Sequence, residues 1–284
     1  MGFMLEALQF DFMRNAILAG IFVSIACGVI GAFVVLNRIV FISGGIAHAA
    51  YGGIGMGFFF RFNPVYGAIA FSLMAALAMG WVHRKTHQRT DTIIGVMWAI
   101  GMSVGIILVD LTPGYKTSLM SYLFGSILAV PTQQLWLMLA VDGLVLAIVW
   151  LFYKELLAIS FDETFAIIRN VPVDGIYLLL MSAIALTVVM MMRVVGLIMV
   201  IALLTIPAAI SNQFVKDMKM MMVVASGLGM VFTIAGLWLS YAFNLTSGAT
   251  IILVSGGGYV LSFVVKSIQK TTQQRLSQKE GDGK

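Results

Sequence analysis

Apolar runs of about twenty residues follow one another along almost the whole chain, separated by short clusters rich in Arg, Lys, Asn, Pro and Gly. A backbone in hydrocarbon must satisfy its own N–H and C=O groups, so runs of this length predict membrane-crossing helices. Nine are predicted, over 13–36, 44–60, 63–82, 92–112, 133–153, 173–192, 194–212, 219–242 and 247–265. The ~10-residue alternating segments of a β-barrel are not found. The expected fold is therefore all-α: one polytopic bundle of about nine transmembrane helices over residues 1–265, then a basic, Gln-rich tail over 266–284, read as mobile in the cytosol. The connection 113–132 is itself fairly apolar and is a candidate for a short re-entrant or interfacial helix.

Composition agrees. The chain is 61% hydrophobic and only 10% charged, against about 25% charged in a soluble domain. Basic residues give orientation, because they gather on the cytosolic side. Arg14, Arg61, Lys116 and Arg193 fall at one set of predicted helix ends, and the other 13 of the 17 fall at the opposite set. The N-terminus is expected outside and the C-terminus in the cytosol. The positive charge reads as topology; no basic patch alternates with aromatics, so nucleic acid is not an expected partner. Glu6 and Asp11 stand where a cleavable signal peptide would be basic. Cys27, the only cysteine, lies in the first span and cannot form an internal disulfide. There is no Gly-rich Lys-Ser/Thr phosphate loop and no His-Glu-x-x-His, so neither ATP binding nor zinc proteolysis is expected of this chain.

One titratable side chain stands out. The stretch 39–60 holds no formal charge, yet His48 lies near its middle among Gly and Ala. An ionisable group inside an apolar span is costly and points to function, and small neighbours allow close approach. In one straight helix His48 would lie roughly 15 Å from the Arg38 end at ~1.5 Å per residue; if Ser43-Gly44-Gly45 were a cytosolic turn, it would be about one turn deep. Asp142, midway along the fifth span, either pairs with His48 across a pore or is a neutral, hydrogen-bonded interface residue. Asp110 reads as a solvated outer end. His83 and His87 have a zinc-compatible spacing, but Arg84, Lys85 and Arg89 surround them and oppose a dication. Asn244 and Thr246 read as the outer turn of the last hairpin. The 20 methionines are scattered, as expected of lipid-facing or gap-filling residues rather than a copper path. Gly256-Gly257-Gly258 reads as close helix packing.

The one sizeable cytosolic connection is 154–175, which mixes apolar and charged residues. Ser160 or Asp162 could cap a short helix with Glu163 in its first turn, and Asn170 could take the left-handed position that ends it before Pro172. Such a helix is either a docking peg for a soluble partner or a surface helix that joins two spans.

Five segments together resemble one family: FMRNAILAG at 12–20, RIVFISGGIAHAAYGG at 38–53, SFDETFAIIRNVPV at 160–173, VVGLIMVIALLTIPAAISN at 194–212 and LSYAFNLTSGATIILV at 239–254. In this order and spacing they resemble the permease subunit of metal-ion ABC importers for zinc, manganese or iron, the ABC-3 type membrane family. The resemblance implies a type II importer-like permease in the inner membrane of a prokaryote. Two copies of the chain would form the pore. A separate cytosolic ABC ATPase would drive it, and an extracytoplasmic metal-binding protein would deliver the ion. No cofactor is held permanently; a divalent metal ion is the transported substrate. Segment 157–172 becomes the coupling segment, with Ser160, Phe161, Asp162, Glu163, Phe165, Ala166 and Arg169 against the ATPase, and His48 lies on the ion path.

Two positions depart from the family pattern. Family members often carry an aspartate four residues before the histidine, where this chain has Gly44, and a glycine where it has Asn170. Without the carboxylate, imidazole alone suits zinc better than manganese, so zinc is the expected cargo. The rival expectation, an ion-coupled secondary transporter, would call for several intramembrane carboxylates and inverted repeats; only Asp142 is in view.

Overall fold

The computed structural model describes residues 9–85, 90–113 and 125–281. Among them there is no strand. Every predicted span meets a helix: α1 (Asp11–Leu36), α2 (Val40–Phe59), α3 (Pro64–Lys85), α4 (Thr90–Leu111), α5 (Thr132–Leu151), α8 (Val173–Val195), α9 (Leu197–Phe214), α10 (Met218–Phe243) and α11 (Ser247–Gly281). Two short helices, α6 (Tyr153–Phe161) and α7 (Glu163–Ile168), lie between α5 and α8. Among the described residues, seven helices are long and apolar enough to cross a membrane, namely α1, α3, α4, α5, α8, α10 and α11. The expectation of about nine is thus met in helices but not in this stricter sense. In α2, glycines at 44, 45, 52, 53, 55 and 57, with His48, dilute the apolar character; α9 is only 18 residues long and contains Pro207.

The helix ends follow from local chemistry. Asn244 adopts φ 55° and caps α10, and Leu245 N–H returns to Ser240 O at 3.0 Å. This is a turn at the position expected before α11. Asp217 caps the start of α10, accepting from Met220 N–H at 3.0 Å. Gly196 alone separates α8 from α9, with φ 78° and ψ 165°, a region essentially restricted to glycine. α11 continues beyond its predicted span to Gly281, so residues 266–281 are helical.

Packing sets which helices are central. α1 and α8 are mostly buried; α4, α5 and α11 show most of their apolar surface to the outside. α2 lies between α3 and α4, touching α8 and α9 as well, whereas α5 packs on α1 and α8. The α2–α3 crossing is backbone on backbone: a Cβ at Gly53 would lie 2.0 Å from Gly67 O. Of the connection 113–132, the described part forms a 3-10 turn at Ile127–Ala129 with Ile127 buried. It is tied down by Asn15 Nδ2, which donates to Val130 O at 3.1 Å. Residues 114–124, including Lys116, and His87 lie outside the described residues.

Candidate functional site

α2 is a continuous helix from Val40, so Ser43-Gly44-Gly45 are helical and the shallow-turn alternative for His48 falls away. His48 is half-buried near the middle of this helix. Its Nδ1 lies 2.8 Å from Gly44 O. A carbonyl oxygen only accepts, so Nδ1 carries the hydrogen, and in the neutral ring Nε2 keeps its lone pair. Imidazoles that bind metals are commonly oriented in this way, one nitrogen fixed by a carbonyl and the other left to ligate.

The imidazole is also held by a ring the sequence reading missed. Trp98 of α4 stacks on His48 with centroids 3.7 Å apart and planes 26° from parallel. Trp98 Nε1–H in turn donates to Met102 Sδ at 3.0 Å, one turn along the same helix. The contact depends on the tight α2–α4 packing, where a Cβ at Gly101 would lie 2.6 Å from Ala49 Cα and one at Gly105 would lie 2.4 Å from Tyr51 O. A tryptophan in mid-span with a methionine four residues on was the available signal, but nothing in it named His48 as the partner.

Asp142 lies elsewhere. It is 8% exposed on α5, and among the described residues its Oδ2 has no hydrogen-bond partner. Cys27 Sγ of α1 contacts Met191 Sδ of α8 at 3.1 Å. Within one protomer the fold does not bring Asp142 to His48, since α5 packs on α1 and α8, away from the α2–α4 group. Among the described residues, no three His, Cys, Asp or Glu side chains are clustered to hold a metal.

The candidate coupling segment, 157–172, contains a short capped helix, as its sequence suggests. Asp162 caps α7, its Oδ1 accepting from Phe165 N–H at 3.0 Å. Glu163 lies in the first turn, and Asn170 takes φ 56° beyond the end. Ser160 is not the cap. It belongs to the last turn of α6, donates to Leu156 O at 2.7 Å, and accepts from Asn37 Nδ2 at 2.8 Å. Ser160 thus ties the segment to the end of α1. Ala166 is fully buried, while Phe161 is 65% exposed, Phe165 50% and Ile168 74%. The Arg169 guanidinium lies 5.3 Å from the Phe165 ring centre. An apolar face with a cationic edge therefore projects from the bundle.

Arg84, read from sequence only as a topology signal, anchors this face. From the last turn of α3 it donates to Glu163 Oε1 at 2.9 Å and also to Asp174 Oδ1 of α8. Its guanidinium lies 5.7 Å from the Tyr177 ring centre, and His83 stacks on the same ring. This exposed apolar face is thereby joined to α3, which is packed backbone to backbone against the helix carrying His48.

The ABC 3 transport family model matches residues 9–266. The chain is 64% identical over 263 residues to an uncharacterized membrane protein of Synechocystis, covering 93% of this chain and 94% of the relative. It is 34% identical to the manganese transport system membrane protein MntC of Listeria monocytogenes, covering 90% and 91% respectively. Among solved structures it is similar to PsaBC from Streptococcus pneumoniae in complex with Fab, with TM-score 0.82, 32% identity, and coverage of 91% of this chain and 94% of that one.

Proposed function

The chain belongs to the ABC 3 transport family, and on that premise we propose that it is the permease subunit of an ATP-driven importer of divalent metal ions. It is a transport subunit, not an enzyme. A separate cytosolic ATPase docks on Phe161, Phe165 and Ile168, an extracytoplasmic protein delivers the metal, and two copies of the chain enclose the path. All nine long helices cross the inner membrane, α2 and α9 included, with the N-terminus outside and the C-terminus in the cytosol. Membership of this family favours ATP drive over ion coupling.

The observation that carries the reading is His48: an imidazole in mid-helix whose Nδ1–H is committed to Gly44 O, leaving Nε2 for a passing ion. One neutral nitrogen replaces part of the hydration shell, and a sparse site allows release. Zinc is the first cargo reading, because Gly44 leaves the site without a carboxylate and imidazole suits zinc. Manganese is the second, favoured by the name of the Listeria relative. The test is uptake of zinc and manganese, singly and in competition, by proteoliposomes holding permease and ATPase. His48→Ala should reduce uptake at least tenfold and His83→Ala much less. Normal uptake by His48→Ala would remove His48 from the ion path.

A further inference from the structure

A crevice of about 740 Å³ opens between α1, α5, α6 and α10, apart from both His48 and the docking face. Val29, Leu146, Val149, Met222 and Val223 form its apolar walls. Tyr153, Lys154, Glu155 and Lys219 stand at one end, beside Trp150, which is 77% exposed. We propose that this crevice binds one anionic phospholipid of the cytosolic leaflet, with the phosphate between Lys154 and Lys219 and an acyl chain along Val29, Val149 and Met222. The inference rests on the topology proposed above, which places both lysines on the cytosolic side.

Position, charge and shape converge on this ligand. Lys154 follows the end of α5 and Lys219 opens α10, so the cations sit where two apolar helices meet the membrane boundary. Basic residues at that level attract anionic headgroups, and a lipid-facing tryptophan marks the same level. Among the described residues neither lysine is ion-paired; Lys219 lies 5.4 Å from the Tyr153 ring centre. The nearby carboxylates are Glu155 and Asp217. Asp217 accepts the Met220 N–H and keeps its charge, so Glu155 and Asp217 both face the two lysines, yet neither pairs with them among the described residues. Burial, with Asp217 nearby, holds the Tyr153 phenol above its ordinary range, which keeps it a hydrogen-bond donor for a phosphate oxygen. A second copy of the chain seated here would have to bury two unpaired ammonium groups, which is unfavourable without a matching anion. A lipid phosphate can accept from both ammonium groups at the water boundary and brings its own apolar chain.

The test is native mass spectrometry of the intact permease–ATPase complex in mild detergent, titrated with phosphatidylglycerol or with phosphatidylethanolamine of the same acyl chains. One phosphatidylglycerol should be retained per permease copy, at least tenfold more tightly than phosphatidylethanolamine, and free glycerol phosphate should not displace it. Lys154→Gln with Lys219→Gln should abolish the preference. Met222→Trp, which fills the apolar wall and leaves both charges, should reduce retention of the lipid. Equal retention of both lipids, unchanged retention in the lysine variant, or displacement by glycerol phosphate would overturn the proposal. So would a disulfide between two copies carrying Trp150→Cys in a Cys27→Ser background, which would place a second copy on the crevice. Retention is read without transport, so a failure of the importer reading leaves this result standing.

Discussion

Replacing Gly53 by alanine should force α2 away from α3 and displace His48 with it. The added methyl carbon would lie 2.0 Å from Gly67 O and 2.3 Å from its carbonyl carbon, where ordinary contact begins at 3.4 Å. The atoms struck are backbone, so no rotamer change relieves the clash; the helices must part by about 1 Å, at the ~1–3 kcal/mol typical of overpacking. Helix propensity acts the other way, favouring alanine by about 1 kcal/mol. The steric term is the larger because the shortfall at this crossing is severe. At roughly 2–4 °C per kcal/mol for a chain of this size, the melting temperature of the purified protein should fall by a few degrees. His48 is five residues away, roughly 7.5 Å along the helix, so its stacking on Trp98 should loosen and uptake should fall at equal membrane abundance. Gly143→Ala is the control: a Cβ there meets nothing within 4 Å, and only the propensity gain remains. A Gly53→Ala protein that melts at or above the Gly143→Ala protein would refute the reasoning.

Gly44→Asp should raise the ratio of manganese to zinc uptake, by adding an anionic oxygen one turn from His48. The Cβ would meet only the tip of Ile201, at 3.2 Å, so the change should fold, and an unaltered ratio would sink the selectivity argument. Phe161→Glu with Phe165→Glu should release or uncouple the ATPase while the permease still inserts; undiminished co-purification and coupling would count against the docking face. Arg84→Gln loses its pairing with Glu163 and Asp174, whose side chains are 50% and 71% exposed, so stability should change by no more than about 1 kcal/mol. ATP hydrolysed per metal ion imported should nevertheless rise, because the docking face is no longer tied to α3. An unchanged ratio would show that Arg84 takes no part in coupling.

Local chemistry was legible in the chain. Apolar run lengths marked the nine long helices among the described residues, because a backbone in hydrocarbon has few other ways to satisfy its polar groups. The cap at Asp162, the left-handed Asn170 and the turn at Asn244 followed from side chains that bond their own backbone. His48 stood out because an imidazole in an apolar run is costly. The partners did not follow. That Trp98 stacks on His48, that Arg84 holds Glu163 and Asp174, that Ser160 bonds Asn37, and that the helix of Asp142 packs on α1 and α8 rather than on the helix of His48 are facts about which helices adjoin. In a soluble helix the apolar stripe tells which face turns inward. Here the faces toward lipid and toward protein are both apolar, so that signal is weak. The neighbours are chosen instead by where small residues let backbones meet, as at Gly53 and Gly67, a match between distant segments that exists only once the bundle has formed.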